Sequence, residues 1–309
     1  MSLLVLGTVA YDAIETPFGT TDRVLGGAAY HCSLAASFFT QPIHLVSVVG
    51  SDYDESVLVE MRRRGIDLLG LQRRTDTKSF FWAGRYGNDL NTRETLATEL
   101  NALVGYDPVL PEEYREAKFV FLGNLAPGLQ ARVLDQLEGQ PTLIGLDTMN
   151  YWMNSALPEL LQVIERVHLV TVNDEEARQL TGEYSLVKAA RKIRSWGPRI
   201  VVIKKGEHGA LLFVDDEQLF FAPALPLEDV FDPTGAGDVF AGGMMGYLAA
   251  HGTIDFHHLQ NAVMYGSTLA SFCVEQFGSE RLRTLQRNEI RDRYIKFRQL
   301  TAYQVELMD

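Results

Sequence analysis

Two hydrophobic rhythms alternate along this chain. Short runs dominated by Leu, Val, Ile and Phe occupy 3–6, 43–50, 119–122, 142–146, 168–172 and 200–203. Runs of this length, apolar at successive positions and closed by glycine or polar residues, predict strands buried on both faces. Between them, 28–39, 54–64, 128–137, 158–167 and 185–196 space their apolar residues three and four apart and predict helices. Such alternation requires a parallel sheet, because parallel neighbours need a crossover long enough to hold a helix. The predicted class is α/β, three layers deep, with a mostly parallel central sheet and helices on both faces.

One region breaks the rhythm. Residues 77–86 and 93–100 alternate with period two around an Asn88-Asp-Leu-Asn-Thr92 turn, and 14–24 is strand-like as well. Together they predict a small β-sheet, from segments at about 13–25 and 77–101, lying as a lid over a site. Further on, 210–213 and 218–222 predict a hairpin across Asp215-Asp-Glu217, and a strand-like segment leads on to residue 232. A long apolar helix follows from about Gly235 to Ala250, then a second over 259–277, then an amphipathic helix and tail from Arg281. All 309 residues are expected to form a single domain.

Composition narrows the partners. A formal charge of −12 disfavours nonspecific binding to nucleic acid or an anionic membrane. Only Cys32 and Cys273 occur, both among apolar residues, so they predict core packing in a reducing compartment rather than a disulfide framework. No run approaches the ~20 apolar residues of a membrane span, and residues 3–6 lack the basic flank of a leader. The expected location is the cytoplasm.

Polar residues collect at the predicted strand ends, where open α/β sheets bind their ligands. Asp12 follows the first strand, Gly123-Asn124 the third, Asp147-Thr-Met-Asn150 the fourth, Asn173-Asp-Glu-Glu176 the fifth and Lys204 the sixth. The most informative stretch is Asp232-Pro-Thr-Gly-Ala-Gly-Asp238, at the start of the long helix. The first amides of a helix lack internal partners and sit at the positive end of its dipole, which makes them an anion site. Gly235 and Gly237 admit an anion close to the backbone. The amides of Gly235, Ala236 and Gly237 could hold developing negative charge while Asp238 accepts a proton. Phosphoryl transfer to a hydroxyl needs both. Taken alone, the fragment also fits an ordinary helix cap.

Read with the Val-Phe-Ala-Gly-Gly that follows it, the string resembles the signature of the PfkB/ribokinase family of small-molecule kinases. The likeness runs from Asp12 to Gly278. It implies a ribokinase-like fold and ATP-dependent phosphorylation of a hydroxyl on a sugar or sugar-like molecule, with Mg²⁺ and K⁺ as further cofactors. By position, Asp12 would hold an acceptor hydroxyl and Gly26-Gly27 would approach the acceptor. His31 stands where relatives usually carry asparagine; an imidazole can still donate to or accept from a hydroxyl, yet the departure leaves the substrate class open. Asn124 is a further candidate on the acceptor side. Asn173 and Glu176 match the family's N-x-x-E motif, which positions Mg²⁺ through its water, although the same residues would suit a helix start. Asp147 and Asn150 resemble a segment near the cleft. Lys204, Gly206 and Gly209 look like the nucleotide-side turn, and Tyr265-Gly-Ser267 supplies small residues beside which an adenine could lie. Asp232 and Thr234, with the Phe277-Gly-Ser279 turn, would complete the monovalent-cation site. The helix start is expected to keep Asp238 ionised.

Other readings stay open. Among Phe80, Phe81, Trp82 and Tyr86, Trp82 is the leading candidate to stack on a sugar or base, and lid core is the alternative. Arg85 and Arg93 are read as exposed; facing inward, they would suit a phosphorylated or acidic acceptor. The aromatic lid and His31 also fit a nucleoside kinase of the same superfamily. A nucleotide-binding regulator without chemistry is a third reading. The lid's open edge could be covered by a second copy in a homodimer.

Overall fold

The computed structural model describes residues 1–90 and 92–302, so Asn91 of the predicted turn and the end of the predicted tail lie outside the described residues. Strand β1 (Leu3–Leu6) is followed by β2 (Ala10–Thr16), β3 (Gly19–Gly26), α1 (Ala28–Ala36), β4 (Ile43–Val49), α2 (Glu55–Arg63) and β5 (Ile66–Arg73). Next come β6 (Phe80–Tyr86) and β7 (Arg93–Glu99). The βα rhythm then runs through β8 (Phe119–Leu122), α3 (Pro127–Gln136), β9 (Leu143–Asp147), α4 (Asn150–Ser155) and α5 (Leu157–Glu165). It continues with β10 (Leu169–Asn173), α6 (Asp174–Thr181), α7 (Leu186–Arg194) and β11 (Ile200–Lys204). The hairpin β12 (Ala210–Phe213) and β13 (Leu219–Ala222) precedes α8 (Ala236–His251), α9 (Phe256–Cys273), α10 (Glu280–Thr284) and α11 (Arg287–Thr301).

Among the described residues the main sheet has the order β13-β12-β11-β10-β9-β8-β1-β4-β5, parallel except that β12 runs antiparallel to both β11 and β13. From β1 the chain builds outward first through β4 and β5, then on the other side through β8 to β11. That reversal opens a crevice at the carboxyl ends of β1 and β8. Alternation within β1 shows both faces in use: Leu3 and Val5 join one buried cluster with α1, α8 and α9, and Leu4 and Leu6 join the other with α3, α5 and α7. The second sheet, β3-β2-β6-β7, stands apart from the first. Among the described residues no helix is long and apolar enough to cross a membrane.

Four expectations on extent are corrected. Segment 14–24 is two strands, broken at Pro17-Phe18, so Asp12 lies inside β2 rather than in a loop. Strand β5 was not foreseen; as an edge strand it leaves Leu69 60% exposed and shows no clean alternation. The segment entering the signature is irregular, because Pro223, Pro226 and Pro233 remove the donors a strand would need. The C-terminal helix is two helices, interrupted at Leu285-Gln286.

Candidate active site

The glycine turn forms as the sequence requires. Gly235 is the N-cap of α8 in the left-handed region at φ 76°, where a side chain would be strained and its Cβ would lie 2.6 Å from the His31 ring. Among the described residues no side chain caps the helix. The Gly237 and Asp238 amides have no backbone acceptor among the described residues, whereas the Ala236 amide already donates to the Pro233 carbonyl at 3.2 Å. Of the three amides that the string suggested, only that of Ala236 is engaged within the backbone, and the Asp238 amide joins those of Gly235 and Gly237 as a donor without a backbone acceptor among the described residues. Asp238, half-buried beside them, is ionised only in part near neutrality: burial, then the Asp147 charge, raise its pKa to about 7 against the pull of Lys204 and Arg93.

The strand ends bring the charges together. Lys204 closes β11 and reaches past β10 to Asp147 at the end of β9, with Nζ 3.0 and 3.3 Å from the two carboxylate oxygens. The same ammonium lies 3.2 Å from where a Cβ on Gly237 would sit, so it stands beside the open amides of α8. Burial lowers the Lys204 pKa, but Asp147 and Glu176 outweigh it and the net shift is upward. Asn173 and Glu176 form a complete capping box at α6, with Asn173 Oδ1 accepting from the Glu176 amide at 2.7 Å and Glu176 Oε2 from the Asn173 amide at 2.8 Å. Burial raises the Glu176 carboxyl and Lys204 opposes it. Gly206 and Gly209 shape the β11–β12 turn, where Lys205 N–H donates to the Gly209 carbonyl at 2.7 Å.

Across the crevice, Asp12 is 6% exposed, and burial, then Asp232 and Asp238, raise its pKa to about 8. Gly26 is needed because the Asp12 carboxyl rests on it: a Cβ there would fall 2.0 Å from Oδ2. Gly27, at φ 100°, packs on the Thr8 carbonyl, and Thr8 accepts the first amides of α1. The glycine pair thus serves the protein's own packing before any ligand. His31 is 1% exposed beneath Gly235 with neither ring nitrogen partnered, and burial lowers its pKa to about 4. Asn124 is held by Trp152, whose indole N–H donates to Oδ1 at 2.9 Å, and by Met149. Asp232 is fully buried; its carboxylate accepts from the Thr234 and Gly278 amides, both at 2.8 Å, and among the described residues no cationic side chain pairs with it.

Two of the candidate ligand-facing segments already have partners within the protein. Trp82 does lie beside Asp12 in register, but its ring crosses Gly84 and carries the Arg93 guanidinium 5.3 Å from its centroid, so its partner is a cation rather than open space. Tyr265 belongs to an aromatic stack with Tyr247 and Tyr294, and Gly266 packs on Phe240 of α8; Ser267 is buried on the same helix. Close helix packing accounts for Gly266, the ordinary reading of a small residue at helical spacing. Arg85 is exposed as expected, paired with Glu15 at 3.0 Å and Glu94 at 3.5 Å on the opposite face of the small sheet.

Sequence reasoning weighed Tyr86 only as a ring to stack on a ligand and missed its hydroxyl, which accepts from Thr234 Oγ1 at 3.1 Å and so ties the small sheet to the signature. Its face was readable, since Trp82, Gly84 and Tyr86 alternate together along β6. Trp152 and Met149 carried no local signal, because their contact with Asn124 depends on β8 and β9 being neighbours.

Comparison with known proteins agrees with this arrangement. The model of the family described as "pfkB family carbohydrate kinase" matches residues 2–284. A cytidine kinase of Thermococcus kodakarensis is 30% identical over 248 residues, 79% of this chain and 87% of its own. A nucleoside kinase of Methanothermobacter thermautotrophicus is 26% identical over 311 residues, 90% of this chain and 91% of its own. In three dimensions, a nucleoside kinase of Methanocaldococcus jannaschii superposes with a TM-score of 0.76 at 18% identity, over 96% of this chain and 98% of its own, which establishes the ribokinase-like fold. An uncapped helix start, a carboxyl group beside it and a match along nearly the whole chain lead to one conclusion: the protein belongs to the pfkB family of carbohydrate kinases, and is an ATP-dependent phosphotransferase acting on a sugar-like or nucleoside substrate.

Proposed function

We propose that the acceptor is a nucleoside and that the γ-phosphoryl group of ATP passes to a hydroxyl of its ribose. The observation that carries the reaction is the meeting of Asp238, Lys204 and the open Gly237 and Asp238 amides at one helix start. The relationship to a cytidine kinase favours a nucleoside over a free sugar.

In this reading, Asp12 fixes the acceptor and Asp238 takes the hydroxyl proton as the oxygen attacks. A carboxyl near pKa 7 is a stronger base than an ordinary aspartate and is still ionised in part at neutral pH. The α8 amides and Lys204 stabilise charge on the phosphoryl oxygens. The small sheet acts as a lid that excludes water while the phosphoryl group moves. Glu176 and Asp147 fit a hard divalent cation: both are oxygen donors, Asp147 at the end of β9 and Glu176 in the first turn of α6, and burial raises the Glu176 carboxyl in the ligand-free protein. Mg²⁺ there would neutralise the phosphates. Asp232 fits K⁺, being a buried carboxylate with two amide donors and, among the described residues, no cationic partner.

The test is ADP release from Mg·ATP with cytidine, uridine, adenosine, inosine, ribose and myo-inositol. Phosphorylation of at least one nucleoside in preference to ribose and inositol is expected. Turnover of free sugars or inositol alone would overturn the choice of acceptor.

A further inference from the structure

Helix α8 begins at the crevice and ends far from it, where the turn into α9 gathers three of the seven histidines, His251, His257 and His258. His251 closes α8 with its Nδ1 2.9 Å from the Tyr247 carbonyl, one turn back. A carbonyl only accepts, so Nδ1 carries the proton and Nε2 keeps its lone pair. His258 stands in the first turn of α9 with its Nδ1 2.7 Å from Oδ1 of Asp255, the N-cap. The His258 amide holds the Asp255 carboxyl below its ordinary pKa, so this carboxylate also accepts and Nε2 of His258 is again the free base. Among the described residues neither Nε2 has a hydrogen-bond partner. The two rings lie 5.6 Å apart between centroids, tilted by 55°, and both stand beside the Tyr247 ring. One ion held by both Nε2 atoms at ~2.1 Å would set the ring centres about 5 Å apart. A small turn of the rings closes that difference, since His251 is exposed and His258 a quarter exposed. His257 differs: its Nε2 already accepts from the Asn261 side-chain amide at 3.3 Å.

We propose that His251 and His258 bind one late first-row divalent ion, Ni²⁺, Cu²⁺ or Zn²⁺, through their Nε2 atoms, and so clip the end of α8 to the start of α9. A metal-ligating imidazole usually donates its second N–H to a carbonyl or a carboxylate, which fixes the tautomer and raises the basicity of the ligating nitrogen. Here one ring has the carbonyl and the other the carboxylate. Imidazole suits these ions, whereas Mg²⁺ prefers oxygen donors and keeps its water. Among the described residues no group of three or more His, Cys, Asp or Glu side chains is placed to hold one ion, so the protein supplies two ligands and water completes the shell. Such a shell binds Ni²⁺ and Cu²⁺ more tightly than Mn²⁺ or Fe²⁺. The Asp255 carboxylate and the net charge of −12 favour a cation at this turn. The site is remote from the phosphoryl-transfer crevice and does not depend on the kinase reading.

The experiment is calorimetric titration of Ni²⁺ into the full chain, free of any affinity tag and washed with chelator, in excess Mg²⁺ to occupy the oxygen sites. Electron paramagnetic resonance of the Cu²⁺-loaded protein is measured alongside. One Ni²⁺ per chain should bind, and the Cu²⁺ spectrum should show coupling to two imidazole nitrogens. His251→Ala and His258→Ala should each weaken Ni²⁺ about 100-fold, because the second ligand no longer binds intramolecularly, and each should leave one coupled nitrogen. Asp255→Asn keeps a helix cap but loses the carboxylate behind His258, and should weaken Ni²⁺ about tenfold. His257→Ala should leave the affinity unchanged. Absence of saturable Ni²⁺ binding tighter than about 1 mM would overturn the proposal. So would an affinity within about threefold of wild type in both His251→Ala and His258→Ala, since the ion would then sit elsewhere.

Discussion

Asp238→Asn should make the protein more stable and nearly inactive at once. In the ligand-free protein the Asp238 pKa rises from 3.8 to about 7, chiefly through burial. A carboxyl raised in this way favours folding in its neutral form. Its contribution is fully present below 3.8, shrinks as the pH rises, and is gone above about 7. A shift of this size corresponds to ~4 kcal/mol. Because the group is only half-buried and water screens part of the penalty, about 2 kcal/mol is the better expectation. Asparagine is neutral throughout, so the variant should match wild type near pH 4, gain across the window from 3.8 to 7, and hold its advantage at pH 8. For a chain of this size that is a rise of about 4 °C in Tm. Turnover should fall by ~10²–10⁴ with the general base gone, while Mg·ATP binding persists. Differential scanning fluorimetry at several pH values and a coupled ADP assay read both arms. Turnover within tenfold of wild type would refute the base assignment, and an unchanged or lower Tm at pH 8 would refute the electrostatics.

Lys204→Met should destabilise by about 3 kcal/mol in urea titrations, because it strands Asp147 as a buried unpaired carboxylate. Lys204→Met combined with Asp147→Asn should recover most of that stability without restoring kcat. His31 is held neutral by burial, with its pKa lowered from 6.5 to about 4, so its contribution is present above 6.5 and is lost as the pH falls through 4. His31→Gln should flatten that acid limb by about 3 kcal/mol, read from urea midpoints at pH 7 and pH 4. Chelation of divalent ions should abolish turnover, restored by added Mg²⁺, with the Tm of the ligand-free protein unchanged. A fall in Tm would mean that an ion also holds the fold together.

Residues that act through their own backbone were legible in the sequence. Gly235 declares a left-handed turn because little else tolerates one, and the apolar run after it declares the helix whose first amides it frees. Strand ends were legible for a similar reason: in a sheet buried on both faces, the first polar residue after an apolar run stands at the crevice, as Asp147, Asn173 and Lys204 do. Partnerships were not. Lys204 meets Asp147 from 57 residues away, and only the β9-β10-β11 order brings them together. Periodicity put Trp82 on the face of β6 that also holds Tyr86, but could not say that a guanidinium would cover its ring. A charge state is still less local. The helix start alone argued for an ionised Asp238, whereas its actual state follows from burial by several elements and from Asp147, Lys204, Arg93 and Glu176, all distant in sequence. A helix dipole supplies a few tenths to about 1 kcal/mol at such a position, and burial among like charges several. A motif can therefore name a base, but its basicity is set by the fold around it.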